Sequence, residues 1–198
     1  ERLDGFVPNS ICEEARCPNR SECFAKGVLT FMILGTTCTR NCSFCSVAHG
    51  KPLPPNPAEI ESILKSIDIL KLKFVVLTSP NRDDLKDGGS NHYASIITQI
   101  KNAFPSVKVE VLIPDFKGDR TALDTVLAAQ PDVLNHNVET VPSLYRTVRK
   151  GSLYKRSLDL LSSCKDFNSK QLTKSGLMVG LGEDYDELEK TFNDIFQS

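Results

Sequence analysis

Short apolar runs alternate with amphipathic segments along most of this chain of 198 residues. The runs are rich in β-branched residues and are bounded by polar or turn-forming residues, a pattern typical of buried strands. Five strands are predicted in this way, at residues 28–34, 74–78, 107–113, 133–137 and 175–181. The segments between them carry apolar residues at helical spacing, which predicts that the strands are connected by helices.

The first of these helices follows a proline-rich crossing, where Asn56 is suited to be the N-cap and Pro57 the first helical residue. Its apolar face continues to Leu70. The other predicted helices cover residues 93–103, 120–129, a region from 143, 154–164 and 183–196. Strands joined by crossover helices imply a parallel sheet with right-handed connections, in a barrel or in a doubly wound arrangement.

In either arrangement, the loops that leave the carboxyl ends of the strands form the working face. Most of the unusual polar residues fall on these loops or strand ends, at Asp115 and at residues 38–45, 79–87, 135–139 and 180–183. The sequence therefore predicts a functional site at this end of the sheet.

Composition narrows the classes of function. The 24 basic and 25 acidic residues give a net charge of -1, which provides no field to attract nucleic acid or an anionic membrane. No apolar run approaches the ~20 residues that a membrane helix needs. Neither nucleic acid nor a membrane is therefore expected as a partner, and we expect a monomer.

Six of the seven cysteines fall in two groups. Cys12, Cys17 and Cys23 have the spacing C-x4-C-x5-C, and Cys38, Cys42 and Cys45 have the spacing C-x3-C-x2-C. Such bunching is unlike a disulfide scaffold and indicates metal-bound thiolates in a reducing compartment. Three thiolates per group suit an iron–sulfur cluster with one open iron, although the spacing also leaves a zinc site open. The seventh, Cys164, is expected to be a core residue.

A family resemblance adds to this pattern. CTRNCSFC resembles the C-x3-C-x-Φ-C motif of the radical S-adenosylmethionine (SAM) enzymes, with Phe44 at the aromatic position. The stretches CEEARCPN, TSPNRDDLKDGG, NHNVETVPSLYRTVRKGSLYKRSL and TKSGLMVGLGE are similar to the sulfur-inserting branch of that family. The resemblance implies an α/β fold, a partial (β/α)6 TIM-like barrel at residues 28–198 with five of its six strands. A cysteine-rich extension at residues 1–27 would precede the barrel, and the C-terminal part of the family domain would be absent.

The resemblance also implies two [4Fe–4S] clusters and SAM as cofactors. The second triplet would hold the catalytic cluster, whose open iron chelates the methionyl group of SAM during reductive cleavage to a 5′-deoxyadenosyl radical. The first triplet would hold an auxiliary cluster that donates two sulfur atoms to C6 and C8 of a protein-bound octanoyl-lysine. The other residues implied to contact SAM are Phe44, Ser79, Asn81, Asp83, Asn137, Glu139 and Lys174.

The partners implied by the resemblance are octanoylated lipoyl carrier domains, either of a 2-oxoacid dehydrogenase E2 subunit or of the glycine cleavage H protein. An electron donor such as ferredoxin or flavodoxin would reduce the cluster. The expected location is the cytoplasm, or the mitochondrial or plastid matrix in a eukaryote. The family draws a fourth auxiliary ligand from a serine in a C-terminal Arg-Ser-Ser-Tyr motif, which this sequence lacks, so we expect a truncated chain.

Two alternatives stay open. The first is another sulfur-inserting radical enzyme, similar to biotin synthase, and the spacing of the first triplet argues against it. The second is a non-catalytic module that binds zinc or an iron–sulfur cluster. His136 stands between two asparagines at a strand end and is expected to be a hydrogen-bonded packing residue rather than a base.

Overall fold

The computed structural model describes residues 20–198, so Cys12 and Cys17 lie outside the described residues. The strands in this part of the chain are Val28–Met32 (β1), Thr37–Cys38 (β2), Ala48–His49 (β3), Phe74–Thr78 (β4), Lys108–Leu112 (β5), Val133–Asn135 (β6) and Leu172–Lys174 (β7). Five of them form a parallel sheet in the order β1-β4-β5-β6-β7. The other two, β2 and β3, pair with each other.

Helices connect successive strands of the large sheet, as the sequence predicts. Their bounds are Arg20–Ala25 (α1), Glu59–Leu70 (α2), Ser90–Ala103 (α3), Arg120–Ala128 (α4), Tyr145–Val148 (α5), Tyr154–Phe167 (α6) and Tyr185–Gln197 (α7), with short 3-10 turns at Phe116–Gly118 and Pro142–Leu144. The sheet order follows the chain order, which agrees with a partial TIM-like barrel.

The main core lies between the sheet and its helices. Strand β4 illustrates why, because Val75 and Leu77 are fully buried and contribute to one apolar cluster with Ile97 of α3. Cys164 is also fully buried in this cluster, which confirms its expected role as a core residue. Phe24 of α1 packs against the same cluster, so α1 is in contact with the core.

Two local predictions are wrong. The last strand is not at residues 175–181 but at Leu172–Lys174, which pairs with Val133–Asn135, and only an isolated bridge joins Leu177 to Glu139. Asn56 is not the N-cap of α2, because Ala58 occupies that position. The Asn56 side chain instead accepts a hydrogen bond from Ala58 N in the preceding turn. No helix among the described residues is long and apolar enough to cross a membrane.

A tight contact at Gly89 gives a test of this packing. Gly89 begins α3 with φ of 91°, and a Cβ atom at this position would overlap Leu34 Cδ1. Gly180 has a similar φ of 88° but would meet no atom within 4 Å. We expect Gly180→Ala to lower the free energy of unfolding by about 1–2 kcal/mol through backbone strain alone. Gly89→Ala should cost about 1–3 kcal/mol more because it also overpacks the core, and urea unfolding measures both. Equal losses would show that Leu34 moves aside freely.

Candidate functional site

A cavity of about 270 Å³ opens at the carboxyl ends of β1, β4 and β5. It brings together eight of the candidate residues, namely Cys38, Cys42, Phe44, Cys45, Ser79, Asn81, Asn137 and Glu139. Among the polar lining residues to which the sequence gave no role are Arg40, Arg149 and Ser152. The working face of the sheet therefore contains a cavity whose lining includes three cysteines, amides, a carboxylate and guanidinium groups.

The cysteine loop is closed at its base by the small sheet. Thr37 and Cys38 pair in parallel with Ala48 and His49, and Gly50 N donates a hydrogen bond to Cys38 O at 2.9 Å. This pairing brings the two ends of the loop together, although the loop itself has little regular structure. Cys38 is held in the resulting ladder and is only 9% exposed.

Thr39 attaches this loop to the end of β4. Its N–H and its hydroxyl both donate to Asn81 O, at 3.0 and 2.9 Å, and its hydroxyl oxygen accepts from Asp83 N at 3.1 Å. The backbone of Asn81 is thereby fixed beside the cysteine loop. Asn81 Oδ1 is buried and has no hydrogen-bond partner among the described residues, although it belongs to a residue that lines the cavity. A buried acceptor without a donor is suited to receive an N–H or O–H group from a ligand.

Arg40, between the first two cysteines of the triplet, is buried in an ionic network. It donates to both carboxylate oxygens of Asp83 at 2.7 and 2.9 Å, to Asp115 Oδ1 at 2.6 Å and to Ser152 Oγ at 3.0 Å. Arg156 from α6 donates to the other oxygen of Asp115 at 3.1 Å. The loops after β2, β4 and β5 and the segment before α6 are thus joined through one guanidinium group.

The pKa of Asp115 follows from this network. Burial alone would raise the pKa, but the hydrogen bond and charge of Arg40, together with Lys117 N–H and Arg156, lower it from 3.8 to about 2. A carboxyl group whose pKa is depressed on folding stabilises the protein fully above its unfolded pKa and loses that contribution as the pH falls through the folded pKa.

We therefore expect the free energy of unfolding to fall by about 2 kcal/mol from this group as the pH drops from about 4 to about 2. Urea unfolding of the wild type and of Asp115→Asn across this range isolates the effect, because the other carboxyl groups are common to both. The gap between the two curves should narrow toward pH 2. A gap that stays constant with pH would contradict the ion pairing of Asp115.

The cysteines form a donor set that fits an iron–sulfur cluster. Cys38, Cys42 and Cys45 are free thiols, and their burial decreases from the first to the last. Burial raises the pKa of the Cys42 thiol, while the positive charge of Arg149 acts in the opposite direction. Three soft ligands in the lining of one cavity, together with an Asn81 oxygen that has no hydrogen-bond partner among the described residues, suit a cluster that keeps one iron open to a ligand.

No group of three or more His, Cys, Asp or Glu side chains in residues 20–198 is arranged to hold a single metal ion. A single ion gathers its ligands around one point. A cluster instead binds each of its cysteines through a different iron.

Asn137 and Glu139 project from the segment that follows β6. Glu139 has φ of 70°, an uncommon conformation for a residue with a side chain, and it is held there by a hydrogen bond from its N–H to Gly176 O at 2.9 Å. Burial raises the pKa of Glu139, and Arg149 and a hydrogen bond from Asn137 partly oppose this effect. Gly176 leaves room for Asn137, because a Cβ atom there would lie 2.8 Å from Asn137 Oδ1.

Three candidate residues in the described part of the chain, Cys23, Asp83 and Lys174, lie outside the cavity lining. Asp83 directs its carboxylate to Arg40, and Lys174 is the last residue of β7 and forms an ion pair with Glu110 at 2.9 Å. Cys23 lies on α1. His136 is fully buried between Ile113 O and Ser157 Oγ, as expected of a hydrogen-bonded packing residue.

Sequence reasoning missed Arg40 and Arg149 as residues of the site. Arg40 falls within the cysteine motif, and this position was the one signal that could have drawn attention to it. Arg149 belongs to the basic stretch RTVRK, which looks like an exposed helix end, yet its residue is only 9% exposed. No feature of that stretch distinguishes Arg149 from the exposed Lys150 beside it.

Comparisons with known proteins agree with this fold. The sequence profile of the radical SAM superfamily matches residues 32–195. A solved methylornithine synthase superimposes with a TM-score of 0.66 at 17% identity, covering 85% of this chain and 49% of that one. A radical SAM methyltransferase from Kitasatospora setae gives 0.64 at 16% identity over 90% and 36% of the two chains. The chain therefore belongs to the radical SAM superfamily.

Curated relatives define the family more closely. The lipoyl synthase of Methylococcus capsulatus is 52% identical over 94% of this chain and 58% of its own length. The lipoyl synthase of Alkaliphilus metalliredigens is 49% identical over 98% of this chain and 67% of its own length. Within the superfamily, the chain belongs to the lipoyl synthase family. It spans between 58% and 67% of the length of these two relatives.

Proposed function

We propose that this chain carries the radical centre of a lipoyl synthase, which inserts two sulfur atoms at C6 and C8 of a protein-bound octanoyl-lysine. The observation that carries the proposal is the cavity that joins the Cys38, Cys42 and Cys45 triplet to the polar ends of β4 and β6. The relatives that are about 50% identical over nearly the whole chain bear the same name.

The three cysteines would hold a [4Fe–4S] cluster in this cavity. A cluster bound there would supply an open iron for the methionyl group of SAM and the electron for its reductive cleavage. Asn81 Oδ1 would accept a hydrogen bond from the amino group of SAM, because it is a buried acceptor with no donor among the described residues. Phe44, half-buried on the cysteine loop, would cover the bound cofactor.

Asn137 and Glu139 would bind the ribose hydroxyl groups of SAM. Both side chains line the cavity after β6, and they share a hydrogen bond. Ser79, at the end of β4, accepts a hydrogen bond from the fully buried Tyr93, which fixes its hydroxyl beside the cavity. Asp83 would act indirectly, by holding Arg40 and with it the cysteine loop. Lys174 would require a change of partner to reach the cofactor, because it pairs with Glu110.

Cys12, Cys17 and Cys23 would hold the second [4Fe–4S] cluster, which serves as the sulfur donor, in an extension comprising residues 1–27. The substrate would be an octanoylated carrier domain, of an E2 subunit or of the glycine cleavage H protein. Ferredoxin or flavodoxin would supply electrons to a monomeric enzyme. The free thiols of the described residues suit a reducing compartment such as the bacterial cytoplasm or, in a eukaryote, an organelle matrix.

The product formed on an octanoylated carrier domain tests this function. The chain is reconstituted with iron and sulfide without oxygen and is incubated with SAM, a reductant and the carrier domain. We expect mass spectrometry of the carrier to show the exchange of two hydrogens for two sulfurs on the octanoyl group. A variant with Cys12, Cys17 and Cys23 all replaced by alanine should still form 5′-deoxyadenosine but insert no sulfur. Sulfur inserted by that variant would contradict the role of the first triplet.

A further inference from the structure

Arg149 is a nearly buried cation whose hydrogen-bond partners among the described residues are all neutral. Its Nη1 donates to Tyr145 Oη and to Ser157 Oγ, each at 2.9 Å, and to Val138 O at 3.3 Å. The guanidinium carbon lies 5.6 Å from the centroid of the Tyr145 ring. Buried charges are normally paired, and the guanidinium lines the cavity. The Glu139 carboxylate lines the same cavity and interacts with this charge, but no hydrogen bond joins the two side chains among the described residues, so the guanidinium is also available to an anionic group bound in the cavity.

The neighbours of Ser157 determine which hydrogen bonds its hydroxyl group donates and which it accepts. His136 Nδ1 lies 2.9 Å from Ile113 O, which can only accept, so Nδ1 carries a proton. Burial lowers the pKa of His136 to about 4, and Arg149 acts in the same direction, so the ring is neutral and Nε2 is an acceptor. Ser157 then donates to His136 Nε2 at 3.0 Å and presents a lone pair to Arg149.

The segment that carries Arg149 is attached directly to the cysteine loop. Ser43, next to Cys42, donates its N–H to Val148 O at 3.0 Å, and Val148 is the residue before Arg149. Arg149 and the three cysteines of the triplet line the same cavity. Ser157, Tyr145 and this loop contact together hold a fixed positive charge beside the cysteine triplet.

We propose that Arg149 raises the reduction potential of the cluster held by Cys38, Cys42 and Cys45, and that Ser157 is the positioning residue that keeps its guanidinium at the cavity. The proposal rests on the proposed cluster site. A cluster bound by three thiolates gains one unit of negative charge when a one-electron donor reduces it, and no bond forms or breaks. A buried cation stabilises the reduced form more than the oxidised form, because cluster potentials depend on net charge and surroundings.

The test uses the chain with Cys12, Cys17 and Cys23 replaced by alanine, so that one cluster site remains. Iron and sulfide content is measured first, then the reduction potential by a titration followed by electron paramagnetic resonance, and SAM affinity in a separate titration. Arg149→Gln should lower the ratio of reduced to oxidised cluster about tenfold at a given applied potential. This change corresponds to a reduction potential that is lower by about 59 mV for one electron. Arg149→Lys, which keeps the charge, should retain most of the wild-type value.

Lys150→Gln is the matched control, because it removes the same charge from the next, exposed residue, where solvent screens it. It should change the ratio less than about twofold. Ser157→Ala should lower the potential in the wild-type background and have no further effect in the Arg149→Gln background, because it acts through Arg149. A merely structural role for Ser157 would give the same shift in both backgrounds.

The outcomes separate this proposal from the function on which it rests. If the parent chain binds no iron and sulfide, the proposed cluster site is wrong. If the parent binds a cluster and Arg149→Gln shifts its reduction potential no more than Lys150→Gln does, the proposal is overturned. A selective loss of SAM affinity in Arg149→Gln would then identify Arg149 as a ligand-binding residue. If Arg149→Gln prevents cluster assembly, the reduction potential of the cluster in Ser157→Ala is used instead. A potential equal to that of the parent would then overturn the proposal.

Discussion

Cys38→Ala is expected to reduce SAM cleavage to the rate measured without protein. Cys38 is the most buried cysteine of its triplet, and its backbone is fixed by pairing with His49 and by the hydrogen bond from Gly50. The remaining two thiolates, one of them exposed, would not retain a cluster with three iron–cysteine bonds. The measurement is 5′-deoxyadenosine formation by anaerobically reconstituted protein in the presence of a strong reductant.

Cys164→Ser provides the matched control for this variant. Cys164 is also a buried free cysteine, but it lies in the core between sheet and helices. This substitution should leave cleavage per molecule of bound cluster unchanged, even where it lowers stability. Cleavage by Cys38→Ala at the wild-type rate would show that the second triplet is not the radical centre.

Arg40→Met should give the largest loss of stability of any substitution at the site. It leaves the carboxylate of Asp115, which is only 1% exposed, without its main partner, although Arg156 remains. Removing one partner of a buried ion pair typically costs about 3–5 kcal/mol, because the other charge is left uncompensated. We expect a loss of this size in the free energy of unfolding, measured in urea on the metal-free chain. Loss of bound iron from the reconstituted chain should accompany it.

A control variant and a double variant test the cause of this loss of stability. Arg120→Met breaks a surface pair with Asp124 and should cost less than about 1 kcal/mol. Adding Asp115→Asn to Arg40→Met should recover part of the lost stability, because the unpaired charge is removed. If Arg40→Met and Arg120→Met are equally stable, Arg40 does not hold the network together.

The sequence pattern predicts strand bounds correctly where an apolar run ends at polar residues. The run FVVLT is bounded by Lys73 and Ser79, and β4 has the predicted bounds, Phe74–Thr78. The run SGLMVGL gave the wrong position for the last strand, because the pairing of β7 is set by its register with β6. Val179 and Leu181 are 63% and 37% exposed in this chain, so these apolar residues are not buried in a strand as the sequence pattern predicts.

The cysteine motif could be recognised from spacing, since its residues are adjacent in sequence. The network around Arg40 could not, because its partners Asp83, Asp115 and Ser152 are 43, 75 and 112 residues away in the chain. Nothing local distinguishes a buried arginine from a solvated one in a polar loop. The same holds for Arg149, whose burial depends on Ser157 and His136 from other elements.

The central claim is that Cys38, Cys42 and Cys45 hold an iron–sulfur cluster at the cavity. Iron, acid-labile sulfide and zinc per chain test it most directly, in protein purified without oxygen and with Cys12, Cys17 and Cys23 replaced by alanine. We expect about four irons and four sulfides per chain, with little zinc. Zinc in the absence of iron and sulfide would contradict the claim and would favour a non-catalytic metal-binding module.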